Sequence, residues 1–209
     1  MIFKDRQDGG RQLIPKLEQF KDNSDVIVLG LPRGGVVTAF EITKALNLKL
    51  DLVVPRKISA PGNPEFAIGA IAEDGEAVLN ESVISTYKIS QEYIDQEVEN
   101  EKKEAQRRLS TYRGNLPPLD LKDKTAILVD DGIATGSTMR AAIKSVKAKG
   151  AKKIIVAVPV TSQDALEKIS QEVDEFIYLK APTFFGAVGA FYDSFSQTED
   201  EEVIELVNQ

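Results

Sequence analysis

The 209-residue sequence contains no cysteine, no histidine and no tryptophan. Those absences remove whole classes of chemistry: thiol and imidazole nucleophiles, a Ser-His-Asp relay, and zinc sites built from Cys and His. Any reaction has to use carboxylates, Lys, Arg, Tyr, hydroxyls, backbone amides or an oxygen-bound ion. Lys and Arg number 26 against 33 Asp and Glu, a net charge of −7, so no global field draws the chain to nucleic acid or anionic lipid. No apolar run approaches the roughly 20 residues that cross a bilayer, and Met1-Ile2-Phe3-Lys4-Asp5-Arg6 has no apolar leader core. The expectation is a cytoplasmic protein with no membrane and no nucleic-acid partner, although the lack of cysteine leaves the redox compartment open.

What is present is the composition of one globular domain spanning 1–209, with 42% hydrophobic and 28% charged residues. Apolar runs alternate with helical patterns, which predicts an α/β fold with a mostly parallel sheet covered on both faces. Candidate strands are Val26 to Leu29, Leu50 to Val54, Thr125 to Val129, Ile154 to Val160 and Glu175 to Leu179. Candidate helices run from Gly34 through Leu46, from Ser137 to Lys149, near Asp164 to Ser170, and near Asp200 to Val207. Residues 55–66 carry three prolines and a glycine and read as an irregular, mobile loop long enough to act as a lid. Ala67 to Ala72 and Glu76 to Leu79 read as a hairpin closed by Asp74-Gly75. From Ser90 to Gly114 a Glu/Lys/Arg-rich stretch with Ile94, Val98, Ala105 and Leu109 predicts a long, thinly amphipathic helix, either a solvated surface helix or a subunit contact.

The chemically informative stretch is Ala126 to Met139: an apolar strand, Asp130-Asp131, a glycine-bearing turn, and Thr135, Ser137 and Thr138 at a helix start. Such a turn offers backbone N–H groups and the positive end of a helix to a phosphate. Two carboxylates beside it would repel the anion, so their place is on sugar hydroxyls or a divalent cation. A sugar phosphate satisfies both halves. An ordinary capped turn leaves the paired acids unexplained, a Walker loop lacks its lysine, and the dinucleotide glycine fingerprint is not matched.

Val129-Asp130-Asp131-Gly132-Ile133-Ala134-Thr135-Gly136-Ser137-Thr138 resembles the signature of the type I phosphoribosyltransferases, which bind phosphoribosyl pyrophosphate (PRPP). The resemblance implies that Asp130 and Asp131 hold the ribose hydroxyls. Ala134 to Thr138 would bind the 5′-phosphate, with Gly132 in the same donor site. Gly30-Leu31-Pro32-Arg33-Gly34-Gly35 is similar to the family's pyrophosphate loop, in which Arg33, Gly34 and Gly35 would meet the anion and Pro32–Arg33 is the candidate for a cis peptide. Arg56 and Lys57 look like the opening of the catalytic loop that closes over PRPP.

The tail from Pro182 to Asp193 resembles the hood that receives the acceptor base. There Phe184 or Phe185 would stack, Lys180 would read a purine oxygen, and Asp193 would reach the metal. Ala134 stands where 6-oxopurine enzymes carry a second acid, so Lys180 and Ala134 point to different subfamilies. The whole layout, including Phe3 to Arg11, looks most like a group of bacterial phosphoribosyltransferases inferred from sequence. The resemblance therefore implies Mg²⁺-dependent transfer of ribose 5-phosphate to a nitrogenous, purine-like acceptor, the kind of step used in nucleotide salvage, by a possible homodimer. A PRPP-binding sensor that has lost transfer is the alternative from a different class.

Overall fold

The computed structural model describes residues 3–71, 77–114 and 119–209. Its centre is a five-stranded parallel sheet in the order β2-β1-β6-β7-β8, formed by β1 (Val26–Gly30), β2 (Lys49–Leu52), β6 (Thr125–Val129), β7 (Lys153–Val160) and β8 (Glu175–Lys180). All five residues of β1 are buried, as expected of a strand covered on both faces. Alternation along the strands sorts the core into two layers. Ile27, Leu29, Leu128 and Val156 pack with Ile143 and Val146 of α5 (Ser137–Ala148) and Ile169 of α6 (Gln163–Ser170). Val28, Ile127, Val129 and Ile155 pack on the other face with Ile42 and Leu46 of α2 (Gly34–Leu46) and with Leu13 and Leu17 of α1 (Arg6–Leu17).

Helix α1 carries no obvious helical signature, because Gly9-Gly10 and Pro15 lie inside it. It forms because Asp5 caps it, accepting the Asp8 amide at 2.7 Å, and because Leu13 and Leu17 meet the sheet. Its glycines permit contact rather than a turn: a Cβ at Gly10 would lie 2.5 Å from the Thr38 carbonyl oxygen.

The reading of 55–66 as an irregular loop is corrected. Arg56–Ala60 (β3) and Asn63–Ile71 (β4) form an antiparallel hairpin, extended by β5 (Ala77–Leu79) into a separate three-stranded sheet. The reason is turn chemistry: Ala60 pairs with Asn63 across Pro61-Gly62, and Gly62 has φ +69°, the conformation a Pro-Gly turn requires. Ile58, Ile68 and Ile71 are fully buried beneath the hairpin. The strands flanking Asp74-Gly75 are paired as read, whereas that turn itself lies outside the described residues.

A short helix, α3 (Glu81–Tyr87), precedes α4 (Gln91–Arg113), which begins at Ser90 and ends at Gly114. Ile94 and Ala105 of α4 are buried against the hairpin, and the rest of the helix is largely solvated. The C-terminal helix α7 (Asp200–Val207) seats Val203 with Val36, Leu52 and Tyr112. No helix among the described residues is long and apolar enough to cross a membrane.

The β3–α4 insertion is tied to the core by Arg113, whose Nη2 donates to Asp51 of β2 at 3.1 Å, both groups being buried. Burial pushes the Asp51 carboxyl above its ordinary range, while Arg113 opposes that shift. Removing the guanidinium takes from a buried carboxyl its hydrogen-bonded counter-charge, leaving only the charges of Lys49 and Lys149 to act on it. Arg113→Met is therefore expected to cost about 3–5 kcal/mol in urea denaturation, and Asp51→Leu added to it is expected to recover much of the loss.

Candidate active site

The chain leaves β1 toward β2 and leaves β6 toward β7, so the connections that follow these adjacent strands run to opposite sides of the sheet from their carboxyl ends. Such a switch point opens a crevice in an α/β sheet. Two segments identified from sequence meet there: Leu31 to Gly35 after β1, with the Pro32–Arg33 peptide cis, and Asp130-Asp131 after β6. Their approach depends on two glycines. A Cβ at Gly34 would overlap the Asp131 carboxylate, and one at Gly35 would lie 2.7 Å from the Val129 carbonyl and 2.9 Å from Asp130 Oδ1.

Residues 132–138 then turn into α5 through Gly136, whose φ is +80°. The N-cap residue Gly136 has no side chain, and only a long 3.5 Å contact joins the Ser137 amide to Thr135 Oγ1, so the leading amides retain donor capacity for an anion. The loop is pinned from below, where Ser162 Oγ donates to the Ala134 carbonyl at 2.6 Å and Ile133 bridges Thr161. Ala134, Thr135 and Thr138 face solvent.

The acid pair is held by contacts that the sequence did not disclose. Arg6 Nε donates to Asp131 Oδ2 at 2.6 Å, and its Nη1 donates to the Ser196 carbonyl at 2.6 Å. Its guanidinium also lies 3.8 Å from the Phe195 ring centre. The Tyr192 hydroxyl donates to the Asp131 carbonyl. Asp130 Oδ1 accepts the Asp131 amide at 2.9 Å. Burial pushes the Asp130 carboxyl well up, and the neighbouring Asp131 charge pushes it further. Burial raises Asp131 as well, with Arg6 pulling the other way. The stretch Phe3 to Arg11 was noted in the sequence as part of a layout, but nothing local to Arg6 marks it as a partner for a carboxylate 125 residues away.

Arg56 and Lys57 of β3 line a cavity of about 330 Å³ together with Pro32 and Thr138, so the hairpin, the glycine loop and the start of α5 share one space. Arg56 is ion-paired with Glu101 of α4. Arg33 turns toward α7, with Nη1 3.6 Å from Glu199 and 3.8 Å from Asp200.

The acceptor-side candidates are dispersed. Phe184 is 95% exposed. Phe185 is half-buried, 5.2 Å from the Phe191 ring and packed near Phe3 and Tyr192, and it also lines a cavity of about 420 Å³ with Ala134 and Thr135. Lys180 ends β8, where its carbonyl accepts the Thr161 amide, and it is not among the residues lining that cavity. Asp193 is exposed and follows Tyr192 in extended backbone, which directs its side chain away from the face on which Tyr192 meets Asp131. Phe3 and the 191–194 segment do close over the acids, with Phe3 donating to the Phe191 carbonyl at 2.7 Å.

Among the described residues no group of three or more carboxylates converges. Mg²⁺ nonetheless commonly uses one or two carboxylates and takes its other ligands from water and substrate phosphates. The crowded charges of Asp130 and Asp131 fit that demand.

A parallel sheet with an acid pair, a glycine loop and a hydroxyl-rich turn gathered at its switch point defines an α/β domain whose candidate site lies at the carboxyl ends of its strands. The family model described as phosphoribosyl transferase domain matches residues 4–194, and the chain belongs to that family. Two Mycobacterium tuberculosis proteins, each named provisionally as a phosphoribosyl transferase, are 41% identical over 208 residues, covering 100% of this chain and 47% of theirs. The chain thus spans about half the length of these curated relatives. The crystal structure of TT1426 from Thermus thermophilus superposes with a TM-score of 0.90 at 40% identity, covering 99% of this chain and 98% of that one.

Two outcomes follow from the glycine contact and the crowded acids. Gly34→Ala is expected to weaken donor binding by at least about 10-fold, measured by calorimetry, because the methyl group and the Asp131 carboxylate compete for one space. Asp130→Asn keeps the acceptor oxygen and removes one buried charge. A carboxyl whose folded-state pKa is raised favours the fold while protonated, and that contribution is lost as pH rises through the folded value. The variant is therefore expected to be more stable above that range, by on the order of 1 kcal/mol, with the gain fading in acid. Thermal melts across pH check the sign.

Proposed function

We propose that this chain transfers ribose 5-phosphate from PRPP to a nitrogenous, purine-like acceptor in the cytoplasm, releasing pyrophosphate with Mg²⁺ as the metal. The observation that carries the reading is the convergence at the β1/β6 switch point of the Asp130-Asp131 pair, the Gly34-Gly35 loop and the turn 134–138. The amides of 134–138 with Thr135, Ser137 and Thr138 bind the 5′-phosphate and fix the anomeric carbon. Asp130 and Asp131 accept hydrogen bonds from the ribose hydroxyls. Asp130 and Asp131 would also hold Mg²⁺, which when bound would supply positive charge against the leaving pyrophosphate.

In the transfer, the bond from the anomeric carbon to pyrophosphate oxygen breaks with its electron pair leaving on the oxygen. The acceptor nitrogen donates its lone pair to the carbon, as in glycosyl transfer generally. Arg56 and Lys57 stabilise the departing negative charge, with Arg33 joining them on leaving Glu199 and Asp200, and closure of the hairpin excludes water that would hydrolyse the donor. The acceptor nitrogen's proton passes to solvent or pyrophosphate, because the carboxylates of the crevice are engaged, Asp131 with Arg6 and Glu101 with Arg56.

A second reading, a PRPP-binding sensor, is favoured by the dispersed acceptor side, where Lys180 is not among the residues lining the cavity that Phe185 shares with the loop. Calorimetry with PRPP followed by a pyrophosphate-release screen over bases and amines separates the two. Transfer predicts metal-dependent binding with release for at least one acceptor, the sensor predicts binding without release, and absence of binding refutes both. Asp131→Asn is expected to weaken PRPP binding by roughly 10-fold or more, the loss of a charged hydrogen-bond acceptor. Arg56→Ala with Lys57→Ala is expected to leave binding measurable and lower kcat by about 100-fold.

A further inference from the structure

A cavity of about 370 Å³ separates α5 from the β4 face of the hairpin; Thr135 and Ser137 of the turn line one end of it, and from there it runs down α5 past Arg140 and Lys144. Its volume lies in the range of small-molecule sites. Arg140 and Lys144 project into it from α5 and Lys168 from α6, while Phe66 and Ala70 of β4 form the opposite wall. No carboxylate is among the described residues that line it, in a chain whose net charge is −7. Glu172 pairs with Arg140 from outside, Nε to Oε1 at 2.5 Å, so Lys144 and Lys168 supply most of the unbalanced charge.

This charge is not explained by the 5′-phosphate. Lys144 is seven residues beyond Ser137, which places it ~10 Å further along the helix axis. A single phosphate in the 134–138 turn leaves that distance unbridged. We propose that the cleft binds a second anion, a polyphosphate-bearing ligand whose phosphates lie along Arg140, Lys144 and Lys168. Lys57 and Ala70 are cross-strand partners in the hairpin, so such a ligand rests against β4, the strand paired with the one that carries Lys57. A nucleotide and an inorganic polyphosphate share this chemistry and differ in whether the Phe66 wall is used.

The test is calorimetric titration of the whole chain, in EDTA, with tripolyphosphate and separately with ATP, on wild type and on Lys144→Glu, with PRPP affinity measured in parallel in Mg²⁺. Charge reversal is expected to weaken binding of both polyphosphates by about 10-fold or more while changing PRPP affinity by less than about two-fold. Tighter binding of ATP than of tripolyphosphate identifies a nucleotide, and equal binding identifies the inorganic chain. The inference is overturned if wild type binds neither polyphosphate, if Lys144→Glu binds them unchanged, or if PRPP affinity falls in parallel. Lys144→Gln with Lys168→Gln repeats the test should the charge reversal lower the melting temperature. Lys144-dependent polyphosphate binding without any PRPP binding would refute the proposed donor and leave this site standing.

Discussion

The contact between Gly34-Gly35 and the Asp130-Asp131 pair is the constraint around which the crevice is built. Parallel strands β1 and β6 end side by side, and their following loops converge on one small volume. Only backbone without side chains fits against the carboxylates there. The geometry is consequently set by the sheet register, which pairs Gly30 with Val129, and not by flexible loops finding one another. A site fixed by the ladder of a buried sheet keeps its groups in place before any ligand arrives, which reduces the ordering cost of binding.

That arrangement carries an electrostatic cost. Two adjacent carboxyls, withdrawn from water, resist ionising together, and the molecule answers with Arg6 on Asp131 and an amide on Asp130. The Arg6 guanidinium is itself fixed by Phe195 and the Ser196 carbonyl. The N-terminal helix, the C-terminal segment and the acid pair are thus one coupled unit. A positive charge placed beside the pair would relieve the repulsion that burial imposes on it, as Arg6 already does for Asp131.

The sheet and the segments that meet at its switch point were legible because both rest on local signals. Continuous apolar runs such as 26–29 and 125–129 encode buried parallel strands, and Asp-Asp followed by a Gly/Thr turn is contiguous in the chain. Long-range contacts were not legible. Helix α1 hides behind Gly9, Gly10 and Pro15, whose roles appear only when Thr38 and the sheet are in place. Arg6 acquires meaning only from Asp131, Phe195 and Ser196. The error at 55–66 came from weighing three prolines and a glycine as breakers, although Pro61-Gly62 is a turn that pairs strands and the buried isoleucines at 58, 68 and 71 fit a covered hairpin.

Replacing a loose lid by a hairpin changes what closure means. A disordered loop orders residue by residue and loses conformational entropy at each. Here β3 and β4 are already paired, Ile58, Ile68 and Ile71 are packed with Ile94 and Ala105 of α4, and Arg56 is ion-paired with Glu101. Movement of Arg56 and Lys57 toward the crevice therefore engages the hairpin and α4 together, with the Arg113–Asp51 pair as the tie to the core. A rigid arm of this kind loses little entropy on closing and responds as a whole to anything wedged between it and α5. The cavity lined by Arg56 and Lys57 and the cationic cleft both border α5 and the hairpin, the first through Thr138 and the second through Arg140 and Lys144, so a shift of the hairpin against α5 alters both spaces.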